Sequence, residues 1–63
     1  MMADDLMRLI QDMPAGYRVI FNMFAIEGYT HLEIAAELGI SDSTSKSQYF
    51  RARAYLKNRI DKR

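Results

Sequence analysis

A chain of 63 residues with nine Lys or Arg, eight Asp or Glu and one His has room for one small core, near the lower limit for a domain without cross-links. It has no cysteine, which excludes disulfides and thiolate zinc sites, and its lone histidine has no second imidazole with which to share a metal. No apolar run approaches the roughly 20 residues of a membrane span, and the N-terminus is acidic where a signal peptide is basic. The expectation is a cytoplasmic protein with no cofactor. So short a chain, with no paired nucleophile and base, is not expected to be an enzyme.

The net charge of +1 conceals a polar molecule. Through Asp42, the two cations Arg8 and Arg18 stand against seven carboxylates, a balance of −5; from Ser43 onward seven cations stand against Asp61, a balance of +6. The positive field therefore belongs to the C-terminal third, and nucleic acid is the partner such a field favours.

In chain order, Leu6, Leu9, Ile10 and Met13 recur at i, i+3, i+4 and i+7, which predicts a first helix over about 3–12, stopped by Pro14. That proline suits the first turn of a second helix over about 14–27, with Tyr17, Ile20, Phe21 and Phe24 on one face, Met23 beside them, and Gly28 at its end. A third helix starts at Thr30, whose hydroxyl is spaced to accept from the amide of Glu33 while the Glu33 carboxylate reaches back. Ile34, Ala35 and Leu38 form its inward face, Gly39 takes the left-handed turn, and Ile40 plugs the corner. Ser41 caps a fourth helix, with Asp42 beside the positive end of its dipole. The set of elements is all-α: four helices, of which those over about 30–60 form a helix-turn-helix without a wing. The expected core is Ile20, Phe21, Phe24, Ile34, Leu38, Ile40, Tyr49 and Leu56.

At about 100° per residue, Ser45, Tyr49, Ala52, Leu56 and Ile60 fall on one seam of the fourth helix. With that seam turned to the body, Ser43, Lys46, Ser47, Phe50, Ala54 and Lys57 face outward and Arg51 lies at the edge. An exposed Phe amid Lys, Arg and Ser serves no packing purpose, since the seam already supplies the core. It suits a helix in a major groove, where an apolar group meets a thymine methyl and cations meet guanine acceptors and phosphates.

These residues resemble region four of bacterial sigma factors of the extracytoplasmic-function type. The motifs that carry the resemblance are Met13-Pro14, Tyr17-Arg18, Glu27-Gly28, Glu33-Ile34-Ala35, Leu38-Gly39-Ile40-Ser41, and Thr44, Lys46, Ser47, Arg51, Ala52 and Arg53. The resemblance implies recognition of the minus-thirty-five promoter element, with Lys46, Ser47, Phe50 and Arg51 at the groove and His31 and Thr44 near phosphates at the starts of two helices. It also implies docking of the first two helices on the β-subunit flap of RNA polymerase, with an anti-sigma factor able to cover the same surface. The chain then reads as a single domain, 1–63, taken from a longer sigma factor with a separate upstream domain.

The chain departs from the family pattern at Ser43, where the family has Gly, and at Ser45, where it has Val. Ser45 lies on the inward seam, and the carbonyl of Ser41 four residues back is the expected partner of its hydroxyl. Arg53 is assigned either to a DNA phosphate or to a pair with Glu33 or Glu37. Two other functions fit the residues: the DNA-binding domain of another regulator, such as a response regulator, and a helical module that binds protein rather than DNA. Steep salt dependence of duplex binding separates the last from the others.

Overall fold

Pro14 sets the first corner. The computed structural model describes residues 3–61, and α1 (Ala3–Asp12) ends just before that proline. Pro14 then heads α2 (Ala15–Phe21), its carbonyl accepting from the amides of Tyr17 and Arg18 at 3.0 Å. Two side chains fasten the corner. Arg18 donates to the Gln11 carbonyl at 2.9 Å, and the Tyr55 hydroxyl donates to the Asp12 carbonyl at 3.2 Å, so the last turn of α1 is held from both sides. Arg18 thereby has a structural role.

The second helix departs from expectation. It does not run as an α-helix to Glu27; from Asn22 to Ile26 it widens into a π-turn, with the Glu27 amide donating to the Asn22 carbonyl five residues back. Gly28 then turns at φ 81°, and the Tyr29 amide reaches the Met23 carbonyl. A π-turn has poorer local energetics than an α-turn and persists where tertiary contacts support it. Here Phe24 supplies them, stacked on the His31 ring at 4.2 Å and against Tyr49 at 4.5 Å.

Helix α3 (His31–Leu38) begins with the full capping box: Thr30 Oγ1 accepts from the Glu33 amide at 3.1 Å and Glu33 Oε1 accepts from the Thr30 amide at 2.9 Å. Gly39 ends it at φ 69°, and the Ile40 amide closes onto the Ala35 carbonyl at 3.0 Å. Helix α4 (Asp42–Asp61) follows, 20 residues long, and packs against α2, α3 and the end of α1. The described residues contain helices and turns and no strand, and no helix among them is long and apolar enough to cross a membrane.

The core has two lobes along α4. Ile10, Met13, Ala52 and Leu56 close the α1 end with Leu9, Tyr17, Phe21 and Tyr55 packed around them; Ile20, Ile34, Ala35 and Ser45 are buried toward the helix-turn-helix. Of the expected core, Ile20, Ile34 and Leu56 are buried, and Phe21, Phe24, Ile40 and Tyr49 are half-buried. Leu38 is not part of it. It is 40% exposed, because the eight-residue α3 ends beside a shallow hollow that Leu38 rims with Val19, Ile20 and Ile40. Leu6 and Ile60 also follow the inward periodicity yet are 39% exposed, Ile60 lining an open apolar groove with Phe21, Ala25 and Leu56.

Candidate nucleic-acid interface

The start of α4 is built from small hydroxyl side chains. Ser41 Oγ accepts from the Thr44 amide at 3.0 Å and lies 2.8 Å from Thr44 Oγ1, so the Thr44 hydroxyl is drawn into the cap while the residue stays exposed. Ser43 Oγ joins at 3.2 Å. Asp42 follows in the first turn and pairs with Lys46 Nζ at 3.2 Å, an i, i+4 pair with the acid on the N-terminal side. Lys46 is well exposed and Asp42 partly so, which leaves the pair in high dielectric, where it contributes little stability and breaks at little cost. Its spacing is readable in the chain as Asp-x-x-x-Lys.

Rotation of α4 decides which side chains are available. Ser45, Ala52 and Leu56 are buried and Tyr49 is half-buried against Phe21, Phe24 and His31, so the seam is consumed inward. Lys46, Ser47, Arg51, Arg53, Ala54 and Lys57 are exposed, and Phe50 is 73% exposed among them. Phe50 also rims an apolar groove of about 680 Å³, floored by Phe21, Ala25 and Leu56 and bordered by Arg53 and Lys57. Arg53 therefore lies at this groove and forms no ion pair with Glu33 or Glu37 among the described residues. Farther along, the Arg59 guanidinium sits 4.6 Å over the Tyr55 ring.

One candidate residue has an inward engagement that sequence reasoning missed. His31, the first residue of α3, is half-buried; its ring stacks on Phe24, and its Nδ1 lies 2.9 Å from Ser45 Oγ. The Ser45 hydroxyl thus finds its partner across the helix-turn-helix, whereas the Ser41 carbonyl takes the Ser45 amide at 3.0 Å. Nothing in the local spacing announces a contact 14 residues away. Two further polar atoms, Asn22 Oδ1 and Gln48 Oε1, are buried without a hydrogen-bond partner.

Lys46, Ser47, Phe50 and Arg51 thus come together on one outward face of a 20-residue helix whose capped N-terminus carries the positive end of the dipole. Such a face can offer long cationic donors, a hydroxyl and an aromatic edge to a groove 12 Å wide. Comparison with curated proteins and with solved structures returned no match. The family model described as sigma-70, region 4 does match, over residues 3–56, from the first turn of α1 to the last buried residue of the α4 seam. Its span takes in the capping box, the Gly39 turn and the outward face together, and the chain belongs to the sigma-70 region 4 family, sigma-factor domains that bind promoter DNA with RNA polymerase at the start of transcription.

Proposed function

We propose that this chain reads the minus-thirty-five promoter element as the region-four domain of an extracytoplasmic-function sigma factor, with α4 in the major groove. Lys46 and Arg51 reach base acceptors, Ser47 and Phe50 lie between them, and Arg53 contacts the backbone. Thr44, at the start of α4, brings the positive end of that helix toward a phosphate; His31, whose ring is engaged by Phe24 and Ser45, offers only its backbone amide at the start of α3. The observation that carries this reading is the 73% exposure of Phe50 on a basic face whose opposite seam is already filled. In the same reading α1 and α2 dock on the polymerase β flap, and an anti-sigma factor covers that surface. The exposed Leu6, Met7 and Val19 supply apolar area for it.

The apolar groove beside Phe50 supports a second reading, a site for a protein helix with DNA irrelevant. One experiment separates the two: selection of duplexes from a randomised pool by the 63-residue chain, then titration of the selected duplex and a shuffled version at two salt concentrations. Base reading predicts an enriched sequence, preference for it over the shuffled duplex, and affinity falling steeply with salt. No enrichment and a flat salt response would favour the protein-binding groove.

A further inference from the structure

We propose that His31 is a positioning residue for base reading: its hydrogen bond to Ser45 sets the rotation of α4, and so where Lys46, Ser47, Phe50 and Arg51 point. The inference rests on the groove-facing role of that face. Ser45 is fully buried, the one polar side chain among the buried residues described, and it immediately precedes Lys46 and Ser47 on the helix. Its Oγ lies 2.9 Å from His31 Nδ1. The histidine end of that contact is fixed from several directions. Thr30 and Glu33 lock the backbone just ahead of it, Phe24 stacks on the ring at 4.2 Å and 14°, and Tyr49 tilts against it at 5.8 Å. Phe24 in turn stands in the π-turn, an irregularity that such tertiary contacts sustain.

The buried side chains of α3, Ile34 and Ala35, are apolar, and apolar packing tolerates rotation better than a directional bond does. A turn of about 20° moves a side-chain tip about 5–6 Å from a helix axis by about 2 Å. That displacement exceeds the roughly 0.5 Å range over which a hydrogen bond to a base edge stays good. Without His31, the Ser45 hydroxyl has the Ser41 carbonyl of its own helix as an alternative, and back-bonding of this kind bends helices. The polar pair therefore acts as a rotational stop at the first inward turn of the recognition helix.

Three substitutions separate the bond from the stack. His31→Phe keeps a ring on Phe24 and removes the bond; Ser45→Ala removes the bond from the other side; His31→Asn places an amide near the position of Nδ1 and gives up the stack. Each is titrated against the selected and shuffled duplexes at one salt concentration, below the unfolding transition of every variant. The expected result is a loss of about 3- to 10-fold in the preference for the selected duplex in His31→Phe and Ser45→Ala. The double variant should be no worse than either single one, and His31→Asn should stay close to the parent chain. If His31→Phe does not fold, Ser45→Ala against the parent decides. Unchanged preference in both bond-deleting variants, or a loss in His31→Asn equal to theirs, would overturn the proposal. Residual dipolar couplings of the α4 amides in the free chain supply a readout without DNA. Reorientation of α4 relative to α3 in His31→Phe and Ser45→Ala supports the stop, and an unchanged orientation contradicts it. A parent chain that selects no duplex refutes the base-reading proposal instead, and the couplings still decide the role of His31.

Discussion

Tyr49 and Phe50 are neighbours in sequence with opposite surroundings, and replacing each by Ala tests the rotation of α4 directly. Tyr49 is half-buried, with ring centroids of Phe24, His31 and Phe21 at 4.5, 5.8 and 6.0 Å. Truncating a fully buried aromatic costs about 3–5 kcal/mol; for the partly exposed Tyr49 about 2–3 kcal/mol is expected. A domain of this length has total stability of roughly 3–9 kcal/mol, so that loss removes a large share of it. At about 4–8 °C per kcal/mol, Tyr49→Ala should lower the melting temperature by about 10–20 °C. Phe50, 73% exposed, has little to lose, and Phe50→Ala should move it by no more than about 4 °C. Duplex binding should respond the other way round, with Phe50→Ala weakening the selected duplex while the fold stays intact. Thermal unfolding followed by far-UV circular dichroism, with titrations below the transition, reads both. A large drop in melting temperature for Phe50→Ala together with a small one for Tyr49→Ala would refute the rotation and the face derived from it.

Thr30→Ala removes the acceptor of the Glu33 amide and half of the capping box, and should cost about 1 kcal/mol by thermal or urea unfolding. Gln48→Met removes a buried amide oxygen that has no partner while keeping the side-chain volume, and should raise stability by about 1 kcal/mol in the same assay. Lys57→Ala, on the exposed side of α4, should weaken selected and shuffled duplexes about equally and reduce the slope of log affinity against log salt by about 1. The isolated chain should bind its selected duplex more weakly than the roughly nanomolar range of complete specific binders, since one module lacks the avidity of polymerase; fluorescence anisotropy measures this.

What was legible in the chain was what short-range rules govern. The capping box at Thr30, the left-handed turn at Gly39 and the Ser41 cap are each set by residues within a few positions, and each appears as its spacing requires. The rotation of α4 was legible because apolar residues separated by three or four positions must share a face. Periodicity shows which side of a helix faces inward, but not whether another element reaches far enough to cover it. Leu38, Leu6 and Ile60 stay partly exposed for that reason. The π-turn at Asn22–Ile26 and the His31–Ser45 bond were illegible for a different one. Both depend on the meeting of Phe24, His31 and α4, a contact between segments that no local window contains. The same holds for Arg53, which the packing of α4 carries to the apolar groove and away from the carboxylates of α3.

The claim that the outward face of α4 reads bases stands or falls on Arg51. It is exposed on that face, next to Phe50, and among the described residues no ion pair holds it. Titration of Arg51→Ala against the selected and the shuffled duplex at two salt concentrations is the direct measurement. A base contact predicts a loss of about 1–3 kcal/mol on the selected duplex and a much smaller loss on the shuffled one, so that sequence preference collapses. Equal losses on both duplexes would make Arg51 a phosphate clamp and contradict base reading by this face.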